Sequence, residues 1–344
     1  MNFEVFMKRC LALAKLGIAD AAPNPSVGAV LVDEGRIIGE GYTSPYGGPH
    51  GEVNCFEDAK SKQGNIPESS VLYVSLEPCS HFGKTPPCSD LIIQERISTV
   101  VIACSDPNPL VAGKGIEKLK AAGIKVIEGV CKEEALELNK RFFTFHQKKR
   151  PYITLKWAQS QAGIFAPLKE EQYWISNAKT KALVHSWRRD EMSILVGDRT
   201  IQIDNPKLNN RLVAGKSPIR LVINTGDPID KDKQVLKDKL PTYVFSYENS
   251  ASYLNKRYIQ LDNKHPVLQQ VLNKLHLENI HSVLIEGGAF TLQQFIDLNL
   301  WDEAKIIIGQ NPLSKGILAP DIAGELFANY QILEDQVKIL KNNS

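Results

Sequence analysis

The pattern of apolar and polar positions in the first part of the chain alternates between helical and strand spacing. Apolar residues recur every three to four positions from Phe3 to Ala14, which predicts a helix that ends at Gly17. Residues 27–33 and 37–42 predict two strands joined by a turn at Glu34-Gly35. The next segments alternate in type: helix 52–62, strands 71–76 and 99–104, helix 112–122, strand 125–128 and helix 133–146. This order predicts a mostly parallel α/β sheet.

The same alternation begins again after the basic run Lys148-Lys149-Arg150 and Pro151, which we interpret as a linker. We therefore expect two domains, residues 1–147 and 148–344. In the second domain the pattern predicts helices 179–189, 265–276 and 290–298, and strands 152–157, 194–196, 219–223, 242–245, 282–285 and 305–308, the last of which closes the set. This is a second α/β unit.

Composition limits the classes of partner. The 344 residues are enough for two domains of ordinary size. Lys and Arg number 41 against 39 Asp and Glu, a net charge of +2, so we expect no nucleic acid partner. No apolar stretch approaches the roughly 20 residues of a membrane span. The six cysteines are scattered, and the N-terminus lacks a signal-peptide pattern, so we expect a cytoplasmic protein without a disulfide framework.

Two short segments carry the strongest chemical signal, Pro49-His50-Gly51-Glu52 and the stretch from Pro78 to Cys88. His50, Cys79 and Cys88 supply the three protein ligands that a catalytic zinc ion uses. Glu52 is the expected proton carrier, because zinc deaminases combine His-x-Glu with Pro-Cys and keep the Glu outside the coordination shell. Bound zinc would lower the pKa of a water molecule. The sequence thus predicts a zinc-dependent deaminase, although eight residues separate the two cysteines instead of two.

A structural zinc site is the alternative, and His81 could supply its fourth ligand. The position of Cys79 after a strand favours catalysis, because ligand sites of α/β sheets form at the carboxyl ends of strands. A nucleic-acid base deaminase is a further alternative, but the near-neutral charge and the lack of a basic, aromatic-rich stripe argue against it.

Further motifs surround this constellation: Pro-Asn-Pro-Ser-Val-Gly at 23–28, Asp-Pro-Asn-Pro at 106–109, Val-Ala-Gly-Lys-Gly at 111–115, and Thr-Pro-Pro before Cys88. With them the chain resembles the bifunctional riboflavin-biosynthesis deaminase/reductase family over nearly its whole length. The resemblance implies a cytidine-deaminase-like α/β/α domain followed by a dihydrofolate-reductase-like α/β domain. It also implies a phosphoribosyl pyrimidine substrate, and Asn24, His81, Lys84 and Asn108 would line its pocket, with Lys84 toward the phosphate.

The second half resembles the NADPH-dependent reductase domain of that family. Its Gly287-Gly288 turn follows a predicted strand and opens a helix, which suits a phosphate group. The resemblance implies two sets of contacts. The residues that would bind NADPH are Lys156, Ala158, Trp174, Thr200, Asp204 and Gly288. The residues that would bind the ribosyl phosphate are Arg188, Leu208, Arg211 and Glu286.

The resemblance therefore implies two steps: hydrolytic deamination of 2,5-diamino-6-(5-phosphoribosylamino)pyrimidin-4-one, then reduction of the ribosyl group, which gives 5-amino-6-(5-phosphoribitylamino)uracil. It also implies a homo-oligomer, a dimer or a tetramer. One departure is Ala162, where the family usually has an Asp. That Asp could order a turn, or it could orient Lys156 or the nicotinamide. In the second case the chain would be a deaminase with a weakened or inactive reductase domain, and this alternative stays open.

Overall fold

The protein is described by a computed structural model that covers residues 3–82, 86–109, 111–169, 173–248 and 251–342. The chain forms two compact units, Met1–Lys149 and Arg150–Ser344. Within the described ranges, no helix has the length and apolar character needed to cross a membrane.

The N-terminal unit is one five-stranded sheet with helices on both faces. Its elements in chain order are α1 (Phe3–Ala21), β1 (Gly28–Asp33), β2 (Arg36–Tyr42), α2 (Gly51–Gln63), β3 (Val71–Val74), α3 (Cys88–Gln94), β4 (Thr99–Ile102), α4 (Lys114–Ala121), β5 (Lys125–Glu128), α5 (Lys132–Leu138) and α6 (Lys140–Lys148). The strand order is β2-β1-β3-β4-β5.

Successive residues of β1 point to opposite faces of the sheet, and each face has its own core. Val30 and Val32 pack with Met7 of α1. Ala29 and Leu31 pack with side chains of α2, α3 and α4. This three-layer arrangement agrees with the expected α/β/α domain. It brings the ends of β3 and β4 together between the two helical layers.

Three details of this unit differ from the sequence prediction. Helix α1 runs through Gly17 instead of ending there. The glycine serves close packing and not helix termination, since a Cβ would lie 2.7 Å from the Ser26 Oγ. The predicted helix 133–146 is two helices, and Asn139 lies at the break, where its amide pairs with the backbone of Ser26 at 2.9 Å in both directions. The sheet is only half parallel, because β1 pairs with both β2 and β3 in antiparallel fashion.

The C-terminal unit contains a nine-stranded sheet and a small two-stranded one. Its elements are β6 (Tyr152–Ser160), β7 (Ile164–Ala166), α7 (Ala178–Asp190), β8 (Ser193–Gly197), α8 (Asp198–Asp204), β9 (Ile219–Asn224), α9 (Gln234–Lys237), β10 (Thr242–Ser246), β11 (Lys256–Gln260), α10 (Val267–Leu277), β12 (Ser282–Ile285), α11 (Ala289–Asp297), β13 (Glu303–Gly309), β14 (Ile317–Leu318), β15 (Glu325–Ile332) and β16 (Asp335–Lys341).

The large sheet has the order β11-β10-β9-β8-β12-β6-β13-β16-β15, and its pairings are parallel from β11 to β13. Strand β12 lies at the centre, between β8 and β6. The prediction that strand 305–308 closes the set is wrong, since β14, β15 and β16 follow it. Strand β15 is exposed along most of its length, so it lacks the buried apolar run of central strands such as β8 and β12.

Candidate active sites

The three predicted zinc ligands come from two neighbouring segments of the N-terminal unit. His50 precedes the first turn of α2, Cys79 follows β3, and Cys88 is the first residue of α3. The His50 Nδ1 lies 3.7 Å from the Cys79 Sγ and 3.3 Å from the Cys88 Sγ. The fold thus closes the eight-residue gap and brings all three ligand atoms within 4.8 Å of one another.

This donor set fits zinc. Tetrahedral bonds of about 2.3 Å to sulfur and about 2.0 Å to nitrogen would place such ligand atoms roughly 3.5 Å apart, close to the observed spacing. Among the described residues, no fourth His, Cys, Asp or Glu joins the group. His81 is exposed and lies outside it. Three protein ligands with an open fourth position are typical of a catalytic zinc site.

The ionisable groups of this site influence one another strongly. The hydrogen bond from the Cys88 thiol, followed by the effect of His50, lowers the pKa of Cys79 well below its usual range and favours its thiolate form. The hydrogen bond to Cys79 and burial raise the pKa of Cys88. Glu52 is 3% exposed, and burial raises the pKa of its carboxyl group. A carboxyl group with a raised pKa can take up and release a proton near neutral pH.

These groups open into a cavity of about 230 Å³. Three of the predicted pocket residues, Asn24, His81 and Asn108, line it together with His50 and Glu52. The predicted phosphate contact, Lys84, lies outside the described residues.

The sequence prediction missed further lining residues of this cavity, among them Thr43, Tyr46, Asp106 and Phe142. Asp106 begins the Asp-Pro-Asn-Pro motif at 106–109, for which the sequence predicts a role only at Asn108. Burial raises the pKa of Asp106 to about 7. Phe142 lies on α6, far along the chain from the motifs, and no local pattern points to it.

The second site is built around Glu286, at the end of the central strand β12. Both Glu286 carboxylate oxygens accept hydrogen bonds of 2.6 Å from the Arg188 guanidinium. Lys156 Nζ lies 3.8 Å from the same carboxylate, because Ile285 of β12 is paired with Leu155 of β6. Burial alone would raise the pKa of Glu286, but the charges of Arg188 and Lys156 outweigh it and lower the pKa to about 2.

A cavity of about 290 Å³ adjoins this cluster. The structure brings six of the predicted residues together in its lining: Lys156, Trp174, Arg188, Asp204, Leu208 and Arg211. Glu286 does not line the cavity but holds two of the side chains that do. The cations make this cavity suitable for a phosphate group.

The remaining predicted cofactor residues are outside that lining. Thr200 and Gly288 lie together, since a Cβ on Gly288 would be 3.4 Å from the Thr200 Oγ1. Gly287 has a φ of +134°, a conformation that favours glycine. Helix α11 begins directly after Gly288 without a side-chain cap, so its first N–H groups remain open to an anion such as a cofactor phosphate. Ala158 lies on β6, half-buried against α7.

The sequence prediction missed Lys181 and His185, which also line the second cavity. Lys181, Val184, His185 and Arg188 have the spacing of one face of α7, and that spacing was the available signal. Lys181 Nζ lies 3.8 Å from the centroid of the Trp174 ring. His185 Nδ1 accepts a hydrogen bond of 3.1 Å from the Arg211 backbone N–H.

Ala162 lies in the exposed turn between β6 and β7. Lys156 forms an ion pair with Glu286, which directly follows the neighbouring strand β12. The structure thus gives no support to an inactive reductase.

Two family descriptions match the chain. "Cytidine and deoxycytidylate deaminase zinc-binding region" matches residues 1–104, and "RibD C-terminal domain" matches residues 151–313. Both halves of a deaminase/reductase are therefore present.

Similar proteins cover nearly the whole chain. Riboflavin biosynthesis protein RibD of Aquifex aeolicus is 39% identical over 341 residues, which are 98% of this chain and 93% of that protein. RibD of Escherichia coli is 32% identical, over 90% and 88% of the two chains.

Solved structures agree with this match. The structure of Acinetobacter baumannii RibD has a TM-score of 0.90 at 30% identity, and 99% of each chain is covered. A Thermotoga maritima structure described as a diaminohydroxyphosphoribosylaminopyrimidine deaminase/5-amino-6-(5-phosphoribosylamino)uracil reductase has a TM-score of 0.88 at 34% identity, over 99% and 98% of the chains. The chain belongs to the RibD family, whose members join a zinc-binding deaminase and an NADPH-using reductase for riboflavin biosynthesis on one polypeptide.

Proposed function

We propose that the N-terminal unit hydrolyses the exocyclic amine of a phosphoribosylated diaminopyrimidinone, and that the C-terminal unit reduces the ribosyl group of the product to a ribityl chain. One observation carries the proposal: each unit has its own cavity, one with a three-ligand metal set and a buried acid, the other with buried cations around Glu286. The Thermotoga maritima relative is described as a deaminase and reductase that act on the same two substrates.

In the first cavity, His50, Cys79 and Cys88 would hold zinc. When bound, zinc supplies a Lewis acid that activates water at neutral pH. Glu52 accepts one proton from the attacking water and passes it to a ring nitrogen. It then takes the remaining proton of the added hydroxyl group and gives it to the amine, so that a carbonyl forms, the C–N bond breaks and ammonia leaves. The raised pKa of Glu52 supports this role, because the group must be ionised at one step and protonated at the next.

Asn24, His81 and Asn108 would orient the pyrimidine in this cavity. Their amide and imidazole groups can donate and accept hydrogen bonds at the edge of a polar ring. For Lys84 we propose a contact with the substrate phosphate.

In the second cavity, Arg188, Leu208 and Arg211 would bind the ribosyl phosphate. The guanidinium groups suit a phosphate because they donate several hydrogen bonds in a fixed plane. Glu286 keeps Arg188 and Lys156 in place.

NADPH, when bound, supplies a hydride to the anomeric carbon of the sugar in its open imine form. The residues that would hold NADPH are Lys156, Ala158, Trp174, Thr200, Asp204 and Gly288. The open N-terminus of α11 supports the placement of a cofactor phosphate at Gly288.

We further propose that the protein works as a homo-oligomer, a dimer or a tetramer, in the cytoplasm. All six cysteines are free in the structure, as a reducing compartment requires.

The direct test is to incubate the purified protein with the diaminopyrimidinone substrate, with and without NADPH, and to identify the products by mass. We expect the deaminated ribosyl compound without NADPH and the deaminated ribityl compound with it. Unchanged substrate would contradict the proposed deamination. The ribosyl compound as the final product in both samples would contradict the proposed reduction.

A further inference from the structure

The buried carboxylate of Glu77 joins two of the loops that line the deaminase cavity. Glu77 lies between β3 and the zinc ligand Cys79, and it is 3% exposed. Its side chain accepts hydrogen bonds from four backbone N–H groups, all of them in the loop and helix that follow β4. The loop after β3 carries Cys79 and leads to Cys88 at the start of α3, and the loop after β4 carries Asp106 and Asn108.

The four hydrogen bonds divide evenly between the two carboxylate oxygens. Glu77 Oε2 accepts from the N–H groups of Asp106 at 3.1 Å and Gly113 at 3.0 Å. Glu77 Oε1 accepts from those of Gly115 at 3.0 Å and Ile116 at 3.3 Å. The last two belong to the first turn of α4, where a negative charge is favourable. Glu77 therefore holds both ends of the loop 106–113.

The segment that carries Glu77 also packs closely against the start of α4. A Cβ on Gly115 would lie 2.0 Å from the Pro78 carbonyl oxygen and 3.2 Å from Glu77 Oε1, so only glycine fits there. The hydrogen-bond network extends from Asp106 toward the cavity, because the Asp106 Oδ1 accepts a 2.7 Å hydrogen bond from the Asn108 N–H. Asp106 and Asn108 both line the cavity beside His50 and Glu52.

We propose that Glu77 is a positioning residue of the deaminase, which fixes Asp106 and Asn108 relative to the zinc ligand Cys79. The inference rests on the proposed deaminase function. Glu77 does not itself take part in the proton transfers. It sets the distance between the side chains that recognise the pyrimidine and the centre where water attacks.

The test is Glu77→Gln, which keeps the size of the side chain but turns N–H donors toward backbone N–H groups. We expect the KM for the diaminopyrimidinone to rise about tenfold, because the binding loop loses buried hydrogen bonds. We expect kcat to change by less than about threefold, since the zinc ligands and Glu52 stay in place. Bound zinc and the turnover of deaminated substrate with NADPH should stay at the wild-type level.

Glu68→Gln is the matched control, because the Glu68 side chain is 71% exposed and forms an ion pair with a surface arginine, Arg96, at 3.3 Å. It should leave the deaminase KM unchanged. An unchanged KM in Glu77→Gln would overturn the proposal. Loss of zinc with a proportional loss of kcat would also overturn it, because Glu77 would then support the metal site and not the binding loop.

Amide hydrogen exchange supplies a readout that needs no turnover. The N–H groups of Asp106, Gly113, Gly115 and Ile116 should exchange faster in Glu77→Gln than in the wild type. If Glu77→Gln does not fold, Glu77→Asp takes its place, because the shorter carboxylate cannot reach both ends of the loop.

A folded Glu77→Asp chain with neither faster exchange nor a raised KM would overturn the proposal. Assays of the wild-type protein distinguish a failure of this inference from a failure of the proposed substrate. No turnover of the diaminopyrimidinone by wild type would count against that substrate, while the exchange rates would still decide whether Glu77 holds the loop.

Discussion

The two cavities each depend on a buried glutamate, and the surroundings shift the pKa of these two groups in opposite directions. Burial raises the pKa of Glu52, which has thiol groups and one imidazole nearby. Two buried cations lower the pKa of Glu286 to about 2. The protonated form of Glu52 is therefore favoured more than in a free carboxyl group, whereas Glu286 stays ionised.

This difference corresponds to two kinds of chemistry. Hydrolytic deamination needs a group that carries protons between water, ring and leaving amine. Hydride transfer from NADPH requires that the substrate be held in the correct position. A permanently charged anion that holds Arg188 and Lys156 in place is suitable for that purpose. In the proposed function, the same residue type would serve as a proton carrier in one unit and as a fixed counter-charge in the other.

The largest expected effect is that of Glu52→Gln. Removal of the proton carrier should reduce deamination about a hundredfold to ten-thousandfold, because general acid–base catalysis contributes that much. Reduction of deaminated substrate should be unaffected. Separate assays of the two half-reactions check this, with bound zinc as the control. Deamination at the wild-type rate would show that another group moves the proton.

Glu286→Gln should affect the other half. The change leaves Arg188 and Lys156 buried without their counter-charge, which costs about 3–5 kcal/mol when a buried ion pair is broken. We expect reduction to be lost and the C-terminal unit to unfold at a lower denaturant concentration. Deamination should continue at the wild-type rate, and a parallel loss of deamination would contradict the assignment of Glu286 to the reductase alone.

The pH dependence of stability should have opposite signs at two buried groups. Burial raises the pKa of Asp106 to about 7, so the folded form binds its proton more tightly, and its contribution is lost as the pH rises through 7. Burial and the charges of Arg188 and Arg211 lower the pKa of His185 to about 4, so stability falls as the pH drops from about 6.5 to 4.

Denaturant unfolding of Asp106→Asn and His185→Gln between pH 4 and 7 tests this pair. The contribution of Asp106 raises the free energy of unfolding as the pH falls, and Asp106→Asn should lack this rise. The contribution of His185 lowers the free energy of unfolding as the pH falls, and His185→Gln should lack this decrease. Identical pH profiles for wild type and either variant would contradict the stated pKa of that residue.

The smallest expected effect is that of Ala162→Asp, which restores the residue that the family usually has. Position 162 lies in an exposed turn, and Lys156 is already held by Glu286. We expect reductase kcat/KM to change by less than about twofold, since substitutions at such surface sites cost little. A much larger gain in reduction would show that this turn limits the reductase.

The grouping of His50, Cys79 and Cys88 could be predicted from the sequence, because zinc chemistry limits the residue types and the strand and helix patterns beside them are regular. The role of Glu77 could not, since its four partners are backbone N–H groups that carry no sequence signal. The break at Asn139 depends on a side-chain contact with Ser26, which is 113 positions away in the chain.

In the C-terminal unit, periodicity predicted the six parallel strands β6, β8, β9, β10, β12 and β13, which are largely buried. It missed the parallel strand β11 at one edge of the sheet, where most residues are half-buried or exposed. It also missed β15 and β16 at the opposite side of the sheet, which carry mixed polar and apolar residues. The face of α7 that lines the second cavity has a visible spacing, but which side of a helix faces a cavity is decided by tertiary packing.

The central claim is that the two glutamates serve two separate reactions, and mixing the two variants tests it most directly. Glu52→Gln and Glu286→Gln are each incubated with the diaminopyrimidinone and NADPH, alone and as an equimolar mixture, and the products are identified by mass. We predict that neither variant alone forms the deaminated ribityl compound at the wild-type rate, and that the mixture does form it, by way of the deaminated ribosyl compound. A mixture as inactive as its components would contradict the account.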